Sequence, residues 1–451
     1  MLEADYLVVG AGAMGMAFVD EIITQQPSAR LILVERRGKP GGHWNDAYPF
    51  VSLHQPAAYY GVNSEKFGEG GGALATGAEV LGYFDRVMRK LLRTGRLQFF
   101  PLCDYQGEGR FVSLVDGTQH QVKVRKKVVD ASYMKVEVPA TKPPAYEVAE
   151  DAELVPPNGL AGLEAPHEGY VIVGSGKTGM DACLFLLDRG VEPGRIRWIM
   201  PNDAWLLDRD NVEPGAVIRR GQHLEVQCLA ESRTLREYYE SLERHGRLIR
   251  LDPEVWPTKW RCATVNHREL ERLRSIEHIV RMGRVKRIER DQVLLDEGTI
   301  QTGPGWLHVD CTADGLAKRP VLPVFDGDRI TLQSVFMCQQ VFSAALIAHV
   351  ECKYANDERK NQLTRVVPHP EFPVDNVTAS ATSMGNLVAW GTELRGWLRG
   401  SRLFILHHEP LMGLISMTFR TRKHIAQIEE AVSAILADHR SRQQGSRKTT
   451  Q

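Results

Sequence analysis

Residues 8–18 read VVGAGAMGMAF and residues 171–181 read VIVGSGKTGMD, so a short run of β-branched residues ends twice in Gly-x-Gly-x-x-Gly. In this pattern the first glycine permits a tight turn, the second lets the backbone approach a pyrophosphate, and the third lets the following helix pack against its strand. The N-terminus of that helix offers unpaired N–H groups to the phosphates. Each stretch therefore predicts a strand, a turn and a helix that bind a dinucleotide.

The residues after the first pattern support this prediction. A helical stretch leads to a second predicted strand, RLILVE, which ends at Glu35, twenty residues beyond Gly15. An acid at this place accepts hydrogen bonds from the hydroxyls of an adenosine ribose. The contacts expected with the first dinucleotide come from Gly10, Gly12, Ala13, Met14, Gly15, Glu35 and Arg36.

The next stretch, RRGKPGGHWNDAYPFVSLHQPAAYYGV, indicates which dinucleotide is bound. Its Gly-Gly-His-Trp segment, with Tyr48 and Pro49 after it, resembles the two-dinucleotide flavoproteins, in particular the flavin-containing and Baeyer–Villiger (class B) monooxygenases. The resemblance implies FAD, with Gly42, His43, Trp44 and Asp46 beside the isoalloxazine. It also implies that the strand ending VVDAS returns beneath the FAD at Ala131. The alternative is a glycine-rich loop around a buried tryptophan.

The second pattern predicts a nicotinamide site. Its turn comprises Gly174, Ser175, Gly176, Lys177, Thr178 and Gly179. The strand RIRWIM then places Met200 where Glu35 stands in the first unit. Because a carboxylate there would repel a 2′-phosphate, its absence favours NADPH over NADH. Lys177 or Arg209 could pair with that phosphate, or each could be a solvated surface charge.

Both patterns are followed by short alternating strands, and each series closes on a buried-looking strand, VVDAS or HVDCTADG. We therefore predict an α/β fold with two Rossmann-like dinucleotide-binding domains. A discontinuous FAD domain is expected to comprise residues 1–165 and 301–440, and the latter part includes C-terminal helices. An NAD(P) domain at 166–300 carries a helical insertion at 202–283, and a disordered tail is expected at 441–451.

Two regions supply further candidate residues. Arg261, Cys262 and Thr264 in the insertion are candidates for a substrate pocket, and the alternative is a helical subdomain that only packs. Many flavoproteins have a final strand ending in Gly-Asp, whose Asp supplies a polar contact with FAD. Here the strand RITLQSV ends in Gln-Ser-Val, so Gln339 or Gln340 is expected to supply that contact.

The composition of the chain indicates which kinds of binding partner are not favoured. Fifty-six basic residues balance fifty-six acidic ones, so neither nucleic acid nor an anionic membrane is favoured as the main partner. The apolar stretch near the C-terminus is interrupted by His407, His408, Glu409 and Pro410, and a cytoplasmic protein without a membrane span is expected. Seven cysteines are scattered singly, which favours reduced thiols, and the histidines lack the spacing of a metal site.

These patterns predict an FAD-dependent oxidoreductase. The family resemblance implies an NADPH-using monooxygenase that oxygenates a small organic substrate with O2 through a flavin C4a-hydroperoxide. No catalytic side chain is assigned, because the cofactor carries the reaction. One alternative is an FAD-dependent dehydrogenase or reductase without productive oxygen use. Another is a non-catalytic nucleotide-binding protein with a flavoprotein fold.

Overall fold

The computed structural model of the 451-residue chain describes residues 1–313, 315–316, 318–407 and 411–449. In the first part the strands are β1 (Leu2–Val9), β2 (Leu31–Val34), β3 (Leu97–Phe100), β4 (Cys103–Gly107), β5 (Arg110–Ser113), β6 (Gln119–Asp130), β7 (Val136–Glu137), β8 (Glu147–Val148), β9 (Leu154–Val155), β10 (Gly169–Val173) and β11 (Ile196–Ile199). The later strands are β12 (Ala204–Asp208), β13 (Leu248–Ile249), β14 (Lys259–Val265), β15 (His278–Val280), β16 (Val285–Ile288), β17 (Gln292–Leu295), β18 (Gly298–Gln301), β19 (Trp306–Asp310), β20 (Gly315–Leu316), β21 (Phe325–Asp326) and β22 (Arg329–Thr331).

The α-helices lie between and after these strands. They are α1 (Ala13–Gln25), α2 (Gly77–Arg93), α3 (Pro157–Leu160), α4 (Lys177–Asp188), α5 (Ala216–Glu231), α6 (Leu235–Arg244), α7 (His267–Arg274), α8 (Gln340–Lys353), α9 (Asp357–Leu363), α10 (Pro373–Glu393), α11 (Arg395–Gly400) and α12 (Leu411–Thr449).

The first sheet has the strand order β21-β22-β6-β1-β2-β3, and β1 pairs in parallel with both β2 and β6. All four residues of β2 are buried, as expected of a parallel strand with both faces covered. Helices α1 and α8 pack together against this sheet, and their apolar side chains form one buried cluster with it. Because β22 and α8 come after the second sheet in the chain, two separate parts of the chain build the first sheet and its helices.

The second sheet has the order β15-β11-β10-β19-β9, and its strands are parallel. β10 is buried along its whole length, and Gly190 adopts a left-handed conformation (φ +79°) just after α4, a common position for glycine at the end of a helix. Two short antiparallel systems, β4-β5-β6 and β16-β17-β18, lie beside the parallel sheets. The predicted α/β class, with parallel sheets, is therefore present.

The domain limits differ from those expected. β9 and β19 both belong to the second sheet, so that unit takes residues from before position 166 and extends beyond position 300. Local sequence gives little sign of this, because β9 is only two residues long and its partner lies about 150 residues further along the chain.

The insertion at 202–283 is also not purely helical. It contains the three-stranded sheet β13-β12-β14 beside α5 and α6, and its last strand, β15, belongs to the second sheet. Asn266 caps α7 by accepting a hydrogen bond from the backbone N–H of Glu269. The aromatic and β-branched residues of β12 and β14 explain the strands, since such side chains pack well on a pleated surface.

The C-terminal helices cover the insertion. α12 packs against α10 and α5, and Ile428 and Ile435 are buried in the cluster that includes Trp205. α12 continues to Thr449 where a disordered tail was expected, because extending an existing helix adds a hydrogen bond for each residue fixed. His408, Glu409, Pro410, Thr450 and Gln451 lie outside the described residues. Within the part that is described, no helix has the length and apolar character needed to cross a membrane.

Candidate dinucleotide sites and the cavity between them

The two glycine turns have matching backbones. Gly10 and Gly174 adopt φ values of +102° and +122°, in the region that favours glycine. A Cβ on Gly15 would lie 2.0 Å from the carbonyl oxygen of Gly10, and a Cβ on Gly179 would lie 2.1 Å from that of Gly174. The third glycine of each turn is therefore required for the helix to pack closely, as the pattern predicted.

The second glycine of each turn faces open space. Among the described residues, a Cβ on Gly12 would meet only the Cα of Gly42, at 3.7 Å, and one on Gly176 would meet nothing within 4 Å. Both glycines precede the first residue of a helix, α1 or α4, and both have ordinary negative φ values of −72° and −80°. The backbone alone does not demand glycine here, so the free space is what a closely approaching ligand would need.

The strands that return beside the two turns also match. At the end of β6, Asp130 accepts hydrogen bonds from the backbone N–H and the hydroxyl of Ser132. At the end of β19, Asp310 accepts the same pair from Thr312. The expected correspondence between VVDAS and HVDCTADG is thus seen in the backbone pairing and in these side-chain contacts.

Glu35 lies at the end of β2 and is 5% exposed. One carboxylate oxygen accepts from the Ala11 N–H (2.7 Å) and the other accepts from the Arg37 N–H (2.9 Å), so the side chain is fixed against the first turn. A carboxylate has about four acceptor positions, which leaves capacity for ribose hydroxyls. Met200 is buried at the equivalent place after β11, and Asp203, the nearest acid along the chain, is held by Arg281 at 2.8 and 3.0 Å.

The Gly-Gly-His-Trp loop folds over the first turn. The Gly41 N–H donates to the Ala11 carbonyl (2.9 Å), and Gly42 adopts φ +58° beside Gly12. Trp44 is anchored because its indole N–H donates to the Tyr60 hydroxyl at 2.7 Å. The structure therefore places this loop at the first turn, and its position beside an isoalloxazine stays a prediction.

Two titratable groups of this loop, His43 and Asp46, are buried or paired with a neighbouring residue. Burial, with a smaller effect of the Arg37 charge, lowers the pKa of His43 to about 4, so its ring is neutral at pH 7. Asp46 accepts from Arg37 Nε at 2.8 Å. Arg36 instead extends outward and pairs with Asp104 at 3.1 Å.

A chain of polar contacts connects the two units. Lys177, in the second turn, forms an ion pair with Asp181 one helical turn later. The Tyr48 hydroxyl donates to the other oxygen of Asp181 at 2.7 Å, and burial, followed by the Asp181 charge, raises the pKa of Tyr48 above its usual value. Sequence reasoning assigned no role to Asp181, because its partner Tyr48 is 133 residues away.

Arg209 does not have either of the roles considered for it. Its guanidinium is 9% exposed and pairs with Glu269 at 2.6 Å, and it also donates to the side chain and carbonyl of Thr264. It is therefore a buried structural charge within the insertion, neither a solvated surface cation nor a phosphate ligand.

Gln339 has a free acceptor. Its amide nitrogen donates to Gln55 at 3.1 Å, while its buried side-chain oxygen has no hydrogen-bond partner among the described residues. Gln340, the alternative considered, donates to the Ser334 hydroxyl. An unpaired buried oxygen is unfavourable unless a ligand or water satisfies it, which makes Gln339 the better candidate of the two.

A cavity of about 1200 Å³ joins these groups. The residues expected to contact a dinucleotide line it, except the packing glycines Gly15 and Gly179 and the buried Arg209. Arg261, Cys262 and Thr264 line it too, so the insertion contributes to the wall. The Thr264 hydroxyl donates to the carbonyl of His54, which joins the insertion to the segment after the Gly-Gly-His-Trp loop.

The cysteines depart from the expectation of separate reduced thiols. Cys262 and Cys338, 76 residues apart, form a disulfide in the cavity wall. The pairing of β12 with β14 shifts register between the Trp205–Trp260 and Leu207–Thr264 pairs, so Cys262 lies in a bulge, and such bulges redirect side chains. His369 is beside the pair, with its ring nitrogen and both sulfurs within 4.8 Å of one another. Sequence spacing gave no signal for this group, because three separate segments supply it.

Known proteins resemble this chain in structure and in sequence. OTEMO in an FAD-bound form superimposes with a TM-score of 0.50 at 12% identity, over 78% of this chain and 83% of that one. An oxidized steroid monooxygenase bound to NADP gives 0.49 at 12% identity, over 95% and 98% of the two chains. A flavin-containing monooxygenase from Stenotrophomonas maltophilia gives 0.47 at 14%, over 78% and 98%. The similarity to OTEMO indicates a shared fold.

Sequence relatives are much more similar. No protein-family model matches the chain. Uncharacterized proteins of Mycobacterium bovis (strain ATCC BAA-935 / AF2122/97) and Mycobacterium tuberculosis (strain ATCC 25618 / H37Rv) are each 46% identical to it over 444 residues, which cover 95% of this chain and 82% of each relative. An identity this high over most of both chains establishes common descent, so the chain belongs to the same family as these mycobacterial proteins.

Proposed function

We propose that this protein is an FAD- and NADPH-dependent oxidoreductase, and specifically a monooxygenase acting on a small organic substrate. The observation that carries the proposal is that two glycine turns of matching backbone open into one cavity. Two dinucleotides bound at separate cavities could not exchange a hydride, whereas one shared space permits their reactive rings to meet.

The first turn suits FAD. The space beside Gly12 fits a pyrophosphate at the start of α1, and Glu35 is fixed where a ribose would lie. The loop containing Trp44 covers this turn, and the unpaired oxygen of Gln339 needs a donor such as a flavin or ribityl group would supply. OTEMO, which shares the fold, was solved with FAD bound.

The second turn suits NADPH. The empty space at Gly176 lies at the start of α4. The residues just after β11 offer the ribose no unpaired carboxylate, because Met200 occupies that place and Asp203 is paired with Arg281. Lys177 would meet a phosphate only by leaving Asp181, since the two are now an ion pair.

Bound together, FAD and NADPH would supply hydride transfer from the nicotinamide to the flavin and transfer of the flavin's two electrons to O2, of which one oxygen atom would go to the substrate and the other to water. The chain's own contribution is to bind, orient and exclude water. Trp44, Tyr59 and Leu53 are buried along the cavity wall, and the ring of His43 stays neutral beside them. A wall of this kind limits access of water to the reacting groups.

The test begins with the purified full chain, which is reconstituted with FAD and then separated from unbound FAD. A bound flavin spectrum that bleaches on anaerobic addition of NADPH is expected, and absence of bound FAD would contradict the proposal. Oxygenation is then tested by supplying ¹⁸O2 with a panel of small ketones, amines and sulfides. Incorporation of one labelled oxygen atom into a product supports the monooxygenase. NADPH oxidation that yields only hydrogen peroxide would instead assign a dehydrogenase or reductase without productive oxygen use.

A further inference from the structure

The disulfide between Cys262 and Cys338 lies where redox chemistry is proposed. Both cysteines line the cavity into which the two glycine turns open, and Cys338 is half-buried, not sealed in a core. The other five cysteines of the described chain are free thiols. The structure therefore contains one oxidised pair, and it faces the cofactor cavity.

Contacts on both sides bring the pair close to the proposed flavin site. Cys338 directly precedes Gln339, whose side chain donates to Gln55 and keeps an unpaired oxygen. Cys262 is two residues before Thr264, whose hydroxyl donates to the His54 carbonyl. Gln55 and His54 are neighbours in the segment after the Gly-Gly-His-Trp loop, so a residue close to each cysteine in the sequence is bonded to that segment.

The backbone around the pair is unusual as well. Cys262 and Met337 adopt left-handed φ values of +51° and +44°, which residues with a side chain rarely take. Such conformations persist only where the surrounding structure imposes them, and they occur often at functional sites. The conformation belongs to Cys262 itself and to the residue before Cys338, so it is localised at the disulfide.

A histidine also lies beside the pair. The ring nitrogen of His369 and the two sulfurs lie within 4.8 Å of one another. Burial, followed by the nearby Arg261 charge, lowers the pKa of His369 to about 4, so the ring beside the two sulfurs is neutral at pH 7. The indole N–H of Trp260 donates to the Cys262 sulfur at 3.3 Å.

We propose that Cys262–Cys338 is a redox-active disulfide that accepts electrons from the reduced flavin. The inference rests on the proposed function. In the step, the S–S bond breaks and the disulfide takes up two electrons and two protons to become two thiols, while the reduced flavin is oxidised to FAD. NADPH is the ultimate reductant, and the two thiols remain in the cavity wall beside His369.

The same three side chains also form a donor set that a zinc ion accepts, two thiolates and an imidazole. The sulfurs are bonded to one another in the structure, which leaves no thiolate of this pair for a metal. The observations therefore favour the disulfide, and zinc is retained as an outcome of the test.

The experiment counts thiols and electrons in the full-length protein reconstituted with FAD. Thiols are titrated with an aromatic disulfide reagent after denaturation. We expect five thiols before reduction and all seven cysteines as thiols after anaerobic treatment with NADPH. An anaerobic dithionite titration should take up about four electrons per bound FAD, because flavin and disulfide are each two-electron couples.

Matched variants separate the pair from the other cysteines. Cys338→Ser and Cys262→Ser should each halve the electron uptake to about two per FAD. Cys352→Ser removes a free, half-buried cysteine that does not line the cavity, and it should leave the uptake unchanged. Agreement between the two cavity variants guards against a folding defect in either one.

The possible failures are distinguishable. If NADPH bleaches the flavin but the thiol count stays at five, the disulfide is only a structural crosslink and the inference is overturned, while the proposed function stands. Seven thiols together with about one zinc per chain in the isolated protein would also overturn it, in favour of a metal site. If the flavin does not bind or is not reduced by NADPH, the proposed function fails and this inference fails with it.

Discussion

At the first glycine turn a second loop lies over the backbone, a carboxylate is fixed at the end of the neighbouring strand, and a tryptophan is anchored above. At the second turn the backbone is the same, but no described residue comes within 4 Å of a Cβ built on Gly176, as Gly42 does at Gly12, and a buried methionine replaces the carboxylate. The comparison teaches that glycine spacing fixes the shape of a phosphate-binding turn, while residues brought from elsewhere in the chain select the ligand.

The largest effect is expected at the first turn. Gly12→Val places a side chain in the space proposed for the FAD pyrophosphate, without backbone strain because φ is −72°. We expect FAD affinity to fall about 1000-fold, which corresponds to about 4 kcal/mol. Flavin retention after gel filtration measures this, with circular dichroism as the control for folding. Full retention of FAD would remove the first turn from the cofactor site.

The matching change at the second turn, Gly176→Val, should behave differently. FAD should remain bound, because the first turn is untouched, while NADPH affinity falls about 100-fold. The dependence of the flavin reduction rate on NADPH concentration, measured by anaerobic stopped flow, gives this affinity. Unchanged kinetics would mean that the second turn holds no nicotinamide, and the two turns would then differ in function as well as in surroundings.

The loop over the first turn also predicts a pH dependence of stability. His43 has a folded pKa near 4 against an ordinary 6.5, so its contribution to stability is fully present above pH 6.5 and is lost as the pH falls towards 4. Between pH 8 and pH 5 this single group should reduce the free energy of unfolding by about 2 kcal/mol. Urea denaturation at both pH values, compared between the parent and His43→Gln, should show a smaller pH effect in the variant. An equal pH effect in both proteins would place the His43 ring in contact with water.

The smallest effect is expected at Met200, which follows β11 at the place where Glu35 follows β2. Met200→Glu introduces into the second unit the acid that Glu35 provides in the first. We expect the preference for NADPH over NADH to fall about tenfold, or about 1.4 kcal/mol. Met200→Gln has the same length without the charge and is the control for introducing a polar group at a buried position. If both variants shift the preference equally, charge at this position does not select the nucleotide.

Local patterns made much of this predictable. The glycine turns, the strand ending at Glu35, the cap at Asn266 and the turn at Gly190 all depend on residues within a few positions of one another. The polar chain from Lys177 through Asp181 to Tyr48 depends on the contact between units, and Arg209 is buried by a partner 60 residues away. Cys262, Cys338 and His369 come from three segments that only the folded chain brings together, so spacing along the sequence could not reveal them.

The discontinuity of the first unit has a consequence for biosynthesis. All five strands of the second sheet have been translated once Asp310 is made. The first sheet also requires β22, and α1 requires the helix α8 that packs on it, and both are translated after Asp310. At a usual translation rate, roughly 10–40 s separate the synthesis of β6 from that of β22. The second sheet, which carries the second glycine turn, can therefore form on the ribosome before the first sheet is complete. During that interval the apolar face of α1 lacks its partner α8.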